Sequence, residues 1–299
     1  MEFDQSICAE IFARKYMING EKNSDDVFVG IAKEVASCED PKVRDKIEAA
    51  FLEQMLSGKF IPAGRILANA RPNTKLKNYN NCFTIDLEDS MESIYNSLKE
   101  DALISKMGGG VGFNISKLRP KGDLLSKGGE SSGPISFLRV FNESAKIIMT
   151  GGQRRAAHIC ILNVDHPDIE EFITVKQGSK NNELTQFNIS VGITDAFMKA
   201  VEENGTWDLK WGGKVYKTLK ARDLYNLIVK NAFEHNEPGI FNLDEAEKYN
   251  NGYWAFKVDR TNPCFTADTL VAVADGRNAV SFKQLVAEGK DIPVYSKEN

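Results

Sequence analysis

Scattered cysteines, a glycine run, an arginine pair and an Asn-Pro-Cys sequence are where this chain could do chemistry. The five cysteines (Cys8, Cys38, Cys82, Cys160 and Cys264) are odd in number, widely spaced and without a Cys-x-x-Cys pair. That pattern fits neither a disulfide framework nor a zinc site. The three histidines show no ligand spacing, so no protein-only metal site is expected. In Met107-Gly108-Gly109-Gly110-Val111-Gly112-Phe113, successive glycines cost backbone entropy and bare the main chain, so something must approach it closely. A phosphate would do, but neither the P-loop nor the dinucleotide fingerprint is present, and a structural turn explains the run as well. Gly151-Gly152-Gln153-Arg154-Arg155 joins a hinge to two guanidinium forks, which suits a loop closing on an anion; a solvated basic turn is the plainer alternative. His166, between Asp165 and Asp168, could serve as a base, although a capping role suits it better. Asn262-Pro263 is a common turn opener, and composition breaks at Cys264, where Phe-Thr-Ala-Asp-Thr-Leu-Val begins a strand-like stretch.

The remaining composition narrows the function classes. A chain of 299 residues has room for one large or two ordinary domains, and 42% hydrophobic with 27% charged residues is a globular balance. A formal net charge of −4 without a long basic block argues against a nucleic-acid partner. No apolar run approaches the roughly 18 residues a bilayer span needs, and no signal peptide is evident at the start. A reducing cytoplasm and no membrane association are the expectation.

The elements that must position these residues follow from periodicity. Residues 1 to about 73 read as helical: Ser24-Asp25-Asp26 caps a helix with Val27, Phe28, Ile31 and Val35 on one face, and Val43, Ile47, Phe51 and Met55 line another. Asn80 to Asp86 holds a short strand. Asp89 and Glu92 form a capping pair for a helix with Met91, Ile94, Tyr95, Leu98 and Ala102 inward, which runs into the glycine run. A later helix turns Phe137, Val140, Phe141 and Ile147 inward, and Ile159 to Val164 is a strand covered on both faces. Beyond it come a strand over 186–193, a helix over 195–202, a hairpin closed by Gly212-Gly213, a helix over 222–234, a strand over 238–242 and a helix over 243–249. Alternating strands and helices predict a largely parallel α/β sheet behind an N-terminal helical domain.

Taken in order, Asn81-Cys82-Phe83, Ser105-Lys106-Met107 with the glycine run, Leu118-Arg119-Pro120-Lys121-Gly122, Gly151 to Ala156 and Thr261-Asn262-Pro263-Cys264 resemble the large subunit of ribonucleotide reductases. The stretch Asn163-Val164-Asp165-His166-Pro167-Asp168-Ile169-Glu170-Glu171-Phe172 resembles the adenosylcobalamin-dependent class more than the di-iron class. The resemblance implies a ten-stranded α/β barrel of two half-barrels with a finger loop threaded through its centre. Residues 1–73 would be the helical domain, 74–263 the first half-barrel with effector-site loops, and 264–299 the β-rich start of an intein, whose first block Cys264-Phe-Thr-Ala-Asp-Thr-Leu-Val resembles.

By the same resemblance, a thiyl radical on the finger cysteine removes the ribose 3′-hydrogen and the 2′-hydroxyl leaves as water. Cys82 would be one of the two thiols that supply the reducing equivalents, and Asn262 would hold the ribose. Asn81, Gly109 and Gly110 would contact the ribonucleotide substrate. A deoxynucleoside triphosphate or ATP effector would be bound by Asp89 and Arg119 and reported by the Arg154 loop. The implied partners are a thioredoxin- or glutaredoxin-like reductant, a second copy in a homodimer, and a downstream reductase and intein half. The sequence departs from the finger motif in lacking Gly-Glu after Cys264, as though Cys264 were the splicing nucleophile rather than the radical cysteine. The second redox cysteine, the substrate-phosphate loop and most of the cobalamin surface would lie outside this chain. A di-iron large subunit, a split-intein half active after trans-splicing, and a nucleotide-binding module without catalysis are the alternatives.

Overall fold

The structure, a computed structural model, describes residues 6–18, 20–75, 77–150, 154–155, 157–177, 183–262, 270–273, 275–277 and 279–289. They fall in two compact units, Met1–Asn262 and Pro263–Asn299.

The first unit opens with four helices: α1 (Ser6–Tyr16), α2 (Ser24–Ala36), α3 (Arg44–Leu56) and α4 (Gly64–Asn69). Phe12, Val27, Phe28, Ile31, Met55 and Leu67 make their shared core. Asn23, one residue earlier than expected, caps α2 by accepting from Asp26 N at 3.0 Å. Val35 and Phe51 remain exposed because this face of α2 and α3 borders an open apolar groove of about 400 Å³ lined by Val35, Phe51, Met55 and Phe60, while Val43, just ahead of α3, is exposed at the helix start. Buried Arg71 ties the module together: its Nε lies 2.7 Å from Glu21, its Nη2 donates to Tyr16 O, and Gly30 leaves room for its stem.

A five-stranded, all-parallel sheet follows, in the order β1 (Cys82–Ile85), β2 (Gly110–Asn114), β5 (His158–Asn163), β6 (Phe187–Ile193), β9 (Gly239–Asn242). Its crossovers are α5 (Met91–Lys106), α6 (Pro134–Ile147), α7 (Ile169–Thr174), α8 (Asp195–Glu202) and α9 (Ala221–His235); α10 (Leu243–Lys248) follows β9. Two antiparallel pairs are inserted, β3 (Met149–Thr150) with β4 (Arg154–Arg155), and β7 (Thr206–Trp211) with β8 (Lys214–Lys220). Gly212 and Gly213 close the latter with φ of 57° and 79°, as a primed turn requires. This is the helical domain and open parallel half-sheet that the sequence predicts.

Two helix faces differ from expectation. Ser90, not Asp89, caps α5, accepting from Ser93 N at 3.1 Å, because Asp89 is engaged elsewhere. The buried stripe of α5 is Ile94, Ser97, Asp101 and Ser105, leaving Met91 and Tyr95 more than half exposed. In α6, Ile135, Leu138, Phe141 and Ala145 face the core while Val140 and Ile147 face out. Ile94 and Leu98 of α5 and Phe137 and Phe141 of α6 do face the core as expected; apolar residues outnumber the inward positions on both helices, so periodicity alone drew each stripe too wide.

In the second unit, β10 (Leu270–Ala272) pairs antiparallel with β11 (Ala279–Ser281), and α11 (Phe282–Glu288) follows, capped by Ser281. Arg277 bonds Asp275 and Glu288 across this hairpin and helix. Cys264 and Pro263 lie outside the described residues.

Candidate active site

Parallel register puts side chains of paired residues on the same face, so the sheet's two faces can be read strand by strand. Ile85, Val111, Phe113, Cys160, Leu162, Ile189, Val191 and Ile193 share one face and pack under the helices in the main core. The opposite face carries Cys82 and Thr84 on β1, Gly110, Gly112 and Asn114 on β2, Ile159, Ile161 and Asn163 on β5, and Ser190 and Gly192 on β6. A parallel sheet buried for stability alone would be aliphatic on both faces. Here that face is small and polar along β1 and β2, and becomes aliphatic only at Ile159 and Ile161 of the neighbouring β5.

What lies on that face is the chain's own segment 259–262. Asn114 Nδ2 donates to Asp259 O at 2.6 Å. A Cβ on Gly112 would stand 1.8 Å from Thr261 O, and one on Gly110 would stand 3.2 Å from Asn262 Nδ2. The segment therefore runs back along β2, from its C-terminal end toward its N-terminal end, across two residues that have no side chain. The close approach that the glycine run demands is made by Thr261 and Asn262. Gly109 has a different reason: a Cβ there would meet the Phe83 ring at 2.6 Å and Ile104 at 2.7 Å.

Cys82 and Asn262 meet at the same place. Cys82 pairs with Gly110 in the β1–β2 register, and Asn262 lies over Gly110. Cys82 is exposed, whereas Cys160, on the helix-covered face, is fully buried and burial pushes its thiol far up. A thiol with so high a pKa is a poor nucleophile, which separates Cys160 from the exposed position. Asn81 faces the helical domain: its Oδ1 accepts from Arg65 N at 3.1 Å at the start of α4, and its carbonyl accepts from Gly110 N at 2.7 Å.

Asp89 and Arg119 lie together at the far end of α5. The Asp89 carboxylate accepts from Arg119 Nε at 2.7 Å and from Arg119 N at 3.1 Å. Both line a cleft of about 340 Å³ with Ser90, Leu125, Ser131 and Phe137. A single helix of 16 residues, about 24 Å long, joins this cleft to the glycine run. Arg154 lies on β4, paired with Thr150; residues 151–153 are outside the described residues.

His166 is a structural residue. Its Nε2 donates to Leu118 O at 3.0 Å and its Nδ1 accepts from Asp168 N at 3.1 Å, which fixes the neutral ring. Burial pushes its pKa below the ordinary value, against the pull of Asp168 and Asp165. Asp168, raised by burial, accepts from Lys121 N and so docks the Leu118–Asp123 loop onto α7.

The sequence reading missed a buried polar cluster. His158 Nε2 lies 2.8 Å from Asp101 Oδ1 and 3.2 Å from Ser105 Oγ, with both members of the Asp–His pair wholly buried. It ties the end of α5 to the first residue of β5. Its one sequence signal was the spacing of Asp101 and Ser105 in register with Ile94 and Ser97.

A helical module, a five-stranded parallel sheet wound with helices and a return segment laid over its glycines define an α/β domain of half-barrel type. Comparison with known proteins names the family. Residues 2–75 match the model of the ribonucleotide reductase all-alpha domain, and residues 80–267 match that of the ribonucleotide reductase barrel domain. This chain belongs to the ribonucleotide reductase family, as a large-subunit sequence. It is 39% identical over 245 residues to a vitamin B12-dependent ribonucleoside-diphosphate reductase of Thermoplasma acidophilum, covering 81% of this chain and 32% of that protein. A Mycobacterium tuberculosis protein of the same description is 33% identical over 291 residues, 94% of this chain and 42% of that protein. The ribonucleoside-diphosphate reductase large subunit of Caenorhabditis elegans is 35% identical over 199 residues, 57% of this chain and 25% of its own. The chain thus spans about a third to two fifths of the length of the B12-dependent relatives named here.

Proposed function

We propose that this chain supplies the helical domain, first half-barrel and finger approach of a ribonucleotide reductase that makes 2′-deoxyribonucleotides by radical chemistry. The observation that carries this is the segment 259–262 laid along Gly112 and Gly110, beside Cys82. Its sequence continues into Pro263-Cys264, the finger tip by resemblance. In the complete enzyme, the finger thiyl radical takes the ribose 3′-hydrogen. The 2′-hydroxyl then leaves as water while two thiols, Cys82 among them, are oxidised to a disulfide. Asn262, held over Gly110, has the amide donor and acceptor needed to bond ribose hydroxyls and fix the reacting carbon near the radical. An exposed Cys82 thiol can exchange with an external thioredoxin- or glutaredoxin-like dithiol.

Adenosylcobalamin is the radical source we assign, in keeping with the B12-dependent relatives; when bound it supplies a carbon-centred radical by homolysis. Among the described residues no group of three or more His, Cys, Asp or Glu side chains could hold a metal ion, so none is assigned to its cobalt. Effector binding is assigned to the Asp89–Arg119 cleft: Nη1 and Nη2 of Arg119 lie outside its pair with Asp89, and a guanidinium edge suits a phosphate. The Arg154 hairpin would report effector binding to the substrate site, in a homodimer. No described helix is long and apolar enough to cross a membrane, and a cytoplasmic enzyme is proposed.

A second proposal concerns residues 264–299. Gly-Glu does not follow Cys264, and a separate compact unit begins at Pro263. Both favour the start of an intein, with Cys264 as its nucleophile and a downstream half restoring the finger. The test of the reductase reading is turnover. The complete enzyme containing this chain, given adenosylcobalamin and a dithiol, should convert ribonucleoside di- or triphosphates to their 2′-deoxy forms. Binding of nucleotides without any conversion would leave a nucleotide-binding module instead.

A further inference from the structure

We propose that Arg260 is a positioning residue that sets how far segment 259–262 reaches along β2, and so where Asn262 is delivered. The inference rests on the reductase reading above. Gly110 and Gly112 give the segment clearance, and two anchors further back hold it along the sheet. Asn114 provides one, through Asp259 O. Arg260 provides another. Its Nη1 donates to Ile85 O at 3.1 Å and lies 2.7 Å from Asp86 Oδ1, while Nε and Nη2 reach Asp259 at 2.5 and 3.3 Å. One planar group thus grips the end of β1 and its own neighbour on the segment at once.

The clamp is itself braced. Lys117 Nζ stands 3.0 Å from both Asp86 oxygens and 2.5 Å from Glu88 Oε1. Burial raises the Asp86 carboxyl, but Arg260 and Lys117 outweigh it and hold it below the ordinary carboxylate range. Exposed ion pairs contribute little to stability. The Arg260 side chain, however, is only 15% exposed and is shared between a backbone carbonyl and two carboxylates, so its geometry is specified. Lysine, with one nitrogen, cannot make the same set of contacts. The consequence is kinetic: misplacing the segment by about 1 Å costs roughly a hundredfold in rate through lost alignment.

The experiment uses the complete reductase with Arg260→Lys, Arg260→Gln and Asp86→Asn, assayed on unlabelled and 3′-deuterated ribonucleotide. Each variant should lower kcat, roughly 10–100-fold for Arg260→Gln and less for Arg260→Lys, with KM nearly unchanged. The deuterium isotope effect on kcat should rise above that of the wild type, because hydrogen abstraction becomes slower relative to other steps. A partly misfolded preparation lowers kcat but cannot change a ratio measured on its active molecules. Wild-type isotope effects in all three variants, whatever their kcat, would overturn this inference alone. A wild-type enzyme that reduces no ribonucleotide would remove the reductase reading and this inference with it.

Discussion

Gly112→Ala is the sharpest perturbation of the threaded segment. The added methyl would sit 1.8 Å from Thr261 O and 2.7 Å from Thr261 C. A carbon–oxygen contact needs about 3.3 Å, so Thr261 has to retreat by roughly 1.5 Å. β2 cannot give way instead, because Val111 and Phe113 on its other face are locked in the core. Overpacking of this kind costs about 1–3 kcal/mol. For a unit of this size each kcal/mol lowers Tm by about 2–4 °C. The segment can lift while the sheet stays folded, so the loss in kcat should far exceed the loss in stability and reach roughly a hundredfold. Gly205→Ala is the control: its Cβ would meet nothing nearer than Ala200 O at 3.6 Å, and it should stay within about 0.5 kcal/mol of wild type. Thermal melts, hydrogen exchange over 259–262 and turnover of the complete enzyme measure the three effects. A Gly112→Ala enzyme with wild-type melting, exchange and turnover would refute the placement of the segment on β2.

Three other consequences are as open to measurement. Arg119→Ala should weaken nucleotide effector binding roughly 10–150-fold, the equivalent of one charge-assisted contact, and calorimetry with oligomeric state measured alongside would show it; equal affinity would remove the assignment. His166, whose folded pKa burial pushes below the unfolded value of 6.5, contributes stability that is complete above 6.5 and lost as pH falls through the window down to its lowered pKa. Urea melts from pH 7 toward 5 should show that slope, and His166→Gln should flatten it. Asp168, raised by burial, works in the opposite sense at the acid end, and its contribution fades as pH rises through its folded pKa. At the junction, co-expression with a downstream half should give a ligated reductase lacking residues 264–299 by mass spectrometry, and Cys264→Ala should block it; active enzyme that retains Phe265-Thr266-Ala267 would end the intein proposal.

Much of the architecture was legible because it is local. The helix over 195–202 and the Gly212-Gly213 hairpin follow from a cap, a period and a pair of left-handed turn residues. Of the half-sheet strands, β1, β5, β6 and β9 announced themselves as short runs between turn signals, whereas β2 was hidden in the glycine run, which read as a loop or turn. What stayed hidden depends on contacts distant in sequence. The glycine run signalled a close approach, but nothing local identifies the visitor as Thr261 and Asn262, some 150 residues later. Apart from its spacing with Ile94 and Ser97, nothing local to α5 marks Asp101 as buried; its partner, His158, is brought in by β5. Asp89 read as a helix cap, yet Arg119 claims its carboxylate. Cys82 could not be told from the other thiols by its neighbours. It stands out once the parallel register sets it beside Gly110.

The most direct test of the account is a single-turnover measurement on pre-reduced complete enzyme with no added dithiol. Wild-type enzyme should form a stoichiometric burst of 2′-deoxyribonucleotide and lose the Cys82 thiol to a disulfide, detectable by alkylation and mass spectrometry. Cys82→Ser should bind nucleotide normally and give no sustained turnover when dithiol is restored. Sustained turnover by Cys82→Ser, or a wild-type burst that leaves the Cys82 thiol reduced, would contradict the placement of the reducing thiol beside the threaded segment.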